Sequence, residues 1–113
     1  MTQEARREGS EQEPQPTSRY IVPLNSLGSD QYELKRPIGV LIEEYGDNDD
    51  VMARLPEVGQ YGHGATEDLA IEDLVEITID YFGVLEGTPD DGLGPLPLKH
   101  KARLTRLIGK ADQ

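Results

Sequence analysis

The chain has 113 residues, a formal net charge of −11 and 35% hydrophobic residues, and it contains no cysteine. The length allows one domain with a modest core. The missing cysteines exclude disulfides, thiolate catalysis and Cys-based zinc sites, and the charge argues against binding nucleic acid through the whole surface. No apolar run approaches the ~18 residues of a membrane span and no apolar leader core opens the chain, so a soluble, cytoplasmic protein is expected.

Residues 1–18 contain no Leu, Ile, Val, Phe or Tyr. Such a stretch cannot offset its ordering entropy by burial, and a disordered acidic and polar tail is expected there. Residues 19–24 are β-rich but include Pro23, which lacks the donor a central ladder needs, so this run belongs at a sheet edge. Residues 25–30 read as a loop. Residues 31–45 read as one strand, with Ile38, Val40 and Ile42 on one face and Leu41 and Glu43 on the other. Residues 46–50, Gly-Asp-Asn-Asp-Asp, read as a hairpin turn. Val51, Ala53 and Leu55 then share a face, and Pro56 ends that strand. A short third strand is expected over 58–63, where Gly59, Gly62 and Gly64 let the backbone bend.

Thr66 is placed to cap a helix, with Glu67 and Asp68 in its first turn. The helix is expected over 66–83, ended by Gly83 or Gly87. Ala70, Leu74, Ile77, Thr78, Tyr81 and Leu85 form its apolar face, and Ile71, Val75 and Phe82 widen it. A Pro/Gly-rich loop, 88–97, leads to a short second helix over 98–108, in which His100, Leu104, Leu107 and Ile108 share a face.

Charge is distributed unevenly. Residues 1–98 carry 6 basic and 21 acidic side chains, while residues 99–113 carry 5 basic and 1 acidic. On the long helix Asp68, Glu72, Glu76 and Asp80 recur every four residues, with Asp73 beside them. Each like-charge pair at that spacing costs roughly 0.2–0.5 kcal/mol. Lys99, Arg103, Arg106 and Lys110 recur at similar spacing near the end of the chain. The acidic stripe reads as a solvated face, as a docking surface for a cationic partner, or as the mate of the basic stripe within one chain or between two copies. A solvated face is the commoner case, and pairing of the two stripes, within one chain or between copies, is favoured over an outside partner.

No catalytic constellation is present. His63 stands between glycines, and the only other histidine is His100, so neither a base with an orienting partner nor a metal-ligand set can be assembled. Asp47, Asp49 and Asp50 do not meet EF-hand spacing. Phosphate-loop, dinucleotide and nucleophile-elbow motifs are absent.

The pattern from Leu34 to Leu85 resembles the HicB-like antitoxin family. An alternating strand and an acidic hairpin precede Val51-Met52-Ala53-Arg54-Leu55-Pro56-Glu57-Val58, which is similar to the family's strand-ending segment. Gly64-Ala65-Thr66-Glu67-Asp68-Leu69-Ala70 is similar to its entry into the helix, with Leu69 where the family usually has an acid. The resemblance implies a partial ribonuclease-H-like fold without nuclease activity, assembly as dimers or tetramers, and contact with a small basic toxin. The short segment after the long helix points to a stand-alone member without a DNA-binding domain.

These readings converge on a small α+β domain over 19–87, a three- or four-stranded antiparallel sheet packed by one long helix, with a short C-terminal helix within 88–113. The expected function is non-enzymatic protein–protein interaction through Asp68, Glu72, Glu76 and Asp80, with self-association to cover open sheet edges and no cofactor. The alternative is weak nucleic-acid binding through Lys99, Arg103, Arg106 and Lys110.

Overall fold

The computed structural model describes residues 15–46 and 50–111. Strands β1 (Ser18–Leu24), β3 (Ile38–Tyr45), β4 (Asp50–Leu55) and β5 (Gln60–Gly64) form an antiparallel sheet in the order β1-β3-β4-β5. Helix α1 (Glu67–Glu86) lies across one face of this sheet, and a shorter helix, α2 (Pro95–Leu107), follows it. The architecture is the expected α+β, with four strands in the main sheet.

Strand alternation decides which side chains meet α1. Val40 and Ile42 of β3 and Val51, Ala53 and Leu55 of β4 are buried beneath the helix. Pro23 sits on the edge strand, opposite Gly39, where its missing N–H breaks no ladder. Thr17 already donates its N–H to the Glu44 carbonyl at 2.7 Å. The sheet therefore begins inside the stretch read as a tail, whose residues 1–14 lie outside the described residues. Tyr45 pairs with Asp50; Asp47, Asn48 and Asp49, read as part of a hairpin turn, also lie outside the described residues. Val58 belongs to a 3-10 turn (Pro56–Val58), and Gly59 takes the left-handed conformation (φ 67°) that starts β5 two residues later than expected.

Residues 31–45 do not form a single strand. They divide into β2 (Tyr32–Leu34) and β3, separated by residues 35–37. Strand β2 leaves the main sheet and pairs antiparallel with a strand that periodicity did not suggest, β6 (Ile108–Lys110). Ile108 and Lys110 are therefore extended rather than helical, and α2 stops at Leu107. Leu104, Leu107 and Ile108 are nonetheless buried in the same core as the main sheet. The Tyr81 hydroxyl and His100 Nδ1, 2.7 Å apart, join the two helices by a hydrogen bond.

The cap of α1 is as read: Thr66 Oγ1 accepts from the Leu69 N–H at 3.2 Å. The helix runs through Gly83 to Glu86 and is capped at Gly87. Its buried row is Ala70, Leu74, Thr78, Phe82 and Leu85, so Phe82 is central rather than marginal, while Ile77 is only half-buried. The helix also lies unusually near β5. A Cβ at Gly62 would fall on the Leu74 amide nitrogen and 2.8 Å from the Asp73 carbonyl carbon, and one at Gly64 would come within 2.7 Å of the Leu69 Cβ. Backbone rests on backbone there, which only glycine permits. Gly62→Ala is expected to lower stability by at least about 1–3 kcal/mol, the range for forcing atoms into a filled space. A urea midpoint equal to that of the wild type would contradict this seating of the helix.

Candidate functional site

Because α1 lies so close to β5, its outer face is left to solvent. Asp68, Glu72, Glu76 and Asp80 are all exposed, as their spacing predicted. Asp73 has a different role: its carboxylate accepts the His63 backbone N–H at 3.0 Å and ties the helix to the strand. Beside the acidic face runs a groove of about 1000 Å³ between α1 and the β1–β2 connection. Leu24, Leu27, Ile71, Val75 and Ile79 supply its apolar lining, and Glu72 and Glu76 line it as well. Asp68 and Asp80 continue the charge one turn beyond in each direction without lining it.

The two charged stripes do not pair within the chain. The ion pairs of the described residues are Arg19–Glu43, Arg54–Glu43 and Lys101–Asp90, and none joins α1 to α2. The expectation that the stripes satisfy each other inside one chain is therefore overturned. The reason is geometric: α2 meets α1 at His100 and buries Leu104 in the core, and so directs its cations elsewhere. Lys99, Arg103 and Arg106 share one exposed face of α2 and line a separate hollow. Lys110 is not among them, because the chain has become β6 by that point.

Two clusters on the sheet were not singled out by sequence pattern. The first lies on the face away from α1, where register brings Arg19, Glu43 and Met52 into one row and Ile21, Leu41, Arg54 and Tyr61 into the next. Glu43 is only 5% exposed, and its carboxylate accepts from Arg54 Nε at 2.7 Å and Arg19 Nε at 3.1 Å. The Arg54 hydrogen bond is the main cause holding the Glu43 carboxyl below its ordinary value of 4.5. Arg54 also stands 5.6 Å from the centre of the Tyr61 ring, within cation–π range. Strict alternation had marked Glu43 as an outward residue; two arginines on neighbouring strands cover it.

The second cluster joins three elements. The Tyr20 hydroxyl lies 2.9 Å from a Glu44 carboxylate oxygen and 2.8 Å from a Glu67 carboxylate oxygen. One O–H can donate to only one of them at a time. Both carboxylates, Glu67 foremost, raise the Tyr20 pKa, so the phenol remains protonated as the clamp between β1, β3 and the first turn of α1.

His63 is exposed on β5. Among the described residues no group of three or more His, Cys, Asp or Glu side chains is arranged to hold a metal ion, and no helix is long and apolar enough to cross a membrane. No protein-family model matches the sequence, and no curated protein or solved structure shows significant similarity to it.

The Glu43 cluster makes stability depend on pH. A carboxyl whose pKa is depressed by folding contributes stability above its unfolded value, and that contribution is lost as pH falls through the folded value. Glu43→Gln is expected to be less stable than wild type at pH 7, by roughly 1–3 kcal/mol, with the gap narrowing as pH falls below about 4.5. Urea unfolding at both pH values checks this; a gap that does not narrow would contradict it.

Proposed function

We propose that this protein is a non-enzymatic binding module, of the kind its resemblance to HicB-like antitoxins implies, acting in the cytoplasm. The groove beside α1 takes a basic protein segment that has one apolar face. The observation that carries this reading is the juxtaposition, in one groove, of an apolar lining from Leu27, Val75 and Ile79 with the exposed carboxylates Glu72 and Glu76. Apolar contact supplies non-directional affinity, and the acids attract a cationic partner and reject an anionic one. A small basic toxin meets this description.

A second reading is favoured by the two stripes, which do not pair with each other within the chain. The basic face of α2, with Leu96 60% and Leu98 40% exposed near it, has the chemistry the groove selects, so another copy of the chain can be the occupant. In that reading self-association and charge pairing are the same event.

Affinity purification of the tagged protein from its native cells separates these readings. The expected result is one small basic protein, recovered at low salt and lost at high salt, because screening weakens exposed charge pairs. Its recovery is expected to fall at least about tenfold with Glu72→Lys/Glu76→Lys, since like charges across an interface cost several kcal/mol. Salt-sensitive self-association abolished by the same substitutions would identify another copy as the occupant. Recovery unchanged by the charge reversal would remove the acidic groove from the account.

A further inference from the structure

The basic residues of α2 do more than form a stripe. Arg36, from the connection between β2 and β3, lines the same hollow of about 370 Å³ as Lys99, Arg103 and Arg106. Two hydrogen bonds set this arrangement. The Lys35 backbone N–H donates to the Leu107 carbonyl at 2.8 Å, and Lys35 Nζ donates to the Thr105 carbonyl at 2.8 Å. Together they pin the connection onto the last turn of α2, and Arg36 follows at the rim. Ala102, between the cations on the helix, leaves the hollow open.

Four cations converging in one concavity is unexpected in a chain with 22 acidic residues. The helix dipole favours Arg106 in the last turn but offers nothing to Lys99 near the other end. Glu57 lines the hollow too, yet no ion pair joins it to any of the four among the described residues. Lys101, on the same helix, does find a carboxylate, Asp90 at 2.9 Å. Among the described residues the four cations form no ion pair, and the single carboxylate that shares their hollow cannot balance them, in a space of small-molecule size. Guanidinium groups are suited to phosphate because their planar fork donates two parallel hydrogen bonds to it.

We infer that the hollow formed by Arg36, Lys99, Arg103 and Arg106 binds the phosphate group of a small anionic ligand. It shares no lining residue with the acidic groove and is independent of a basic partner binding there; in self-association the same cations would be engaged by another copy. The phosphate can come from free inorganic phosphate or from a nucleotide.

Both sources are tested by following the backbone amides of the full-length protein by NMR. The protein is titrated with sodium phosphate and separately with ATP, using sodium chloride of equal ionic strength as the control. The expected result is saturable displacement of the Arg36, Ala102 and Arg103 amides by at least one of the two and not by chloride. Saturation by inorganic phosphate identifies the free ion as a sufficient ligand, and saturation by ATP alone identifies a nucleotide. Arg36→Gln/Arg103→Gln is expected to weaken binding at least about tenfold, as loss of charge-assisted hydrogen bonds predicts, while Lys101→Gln leaves it unchanged. Lys99→Gln serves the same purpose if the double variant does not fold. No saturation beyond chloride, or equal affinity in both variants, would overturn the site. Saturation by a short single-stranded RNA but by neither small ligand would overturn it in favour of a nucleic-acid interface.

Discussion

At Gly62 and Gly64 no side chain stands between β5 and α1, so the helix backbone rests directly on the strand backbone. This close approach sets the rotation and height of the helix, and the other features of that face follow. Ala70 and Leu74 are buried where the two backbones meet. Asp73 comes within reach of the His63 N–H and is withdrawn from the acidic stripe. Val75 and Ile79 are turned toward the β1–β2 connection rather than into the centre of the core, which opens the groove between them and Leu27. The remaining acids have nowhere to go but outward. Tyr20 holds the first turn from the opposite edge of the sheet through Glu67.

Charge is then divided by element rather than mixed. On the sheet, Arg19 and Arg54 are consumed by Glu43, and Lys101 is matched by Asp90. The acids of α1 and the cations around α2 are left on separate surfaces, and each surface adjoins a concavity. Exposed single pairs contribute little to stability, so this segregation is a weak device for folding. It is an effective one for selecting partners, because fields of one sign attract ligands of the other over about a Debye length, ~10 Å at 0.1 M salt. A chain with sequence pI near 4.4 that keeps a basic hollow thereby presents two concavities of opposite charge.

Much of the fold was legible in local patterns. Period-two burial at Val40, Ile42, Val51, Ala53 and Leu55, the Thr66 cap, the edge position of Pro23 and the amphipathic α1 all follow from short-range rules. What escaped them depends on distant partners. The three residues of β2 pair only with β6, 74 to 78 positions later, and neither strand has enough alternation to announce itself alone. Lys110 leaves the basic stripe for the same reason. Arg36 joins the cations of α2 because its neighbour Lys35 bonds the Leu107 carbonyl through its backbone N–H and the Thr105 carbonyl through its side chain, which no spacing rule reveals. Glu43 reads as a solvated charge until Arg19 and Arg54 are brought beside it by strand register. Of the proposed binding surface, the acids themselves were legible; the groove beside them was not, because its other wall is the loop carrying Leu27.

The central claim is that the groove beside α1, and not the open face of the sheet, receives a basic partner. Site-specific photocrosslinking in the native cells tests this most directly, with a photoreactive residue placed at Ile79 in the groove or at Tyr61 on the sheet. The account predicts that a basic polypeptide is crosslinked from position 79 and not from position 61. Crosslinking from position 61 alone, or of an acidic polypeptide from position 79, would contradict it.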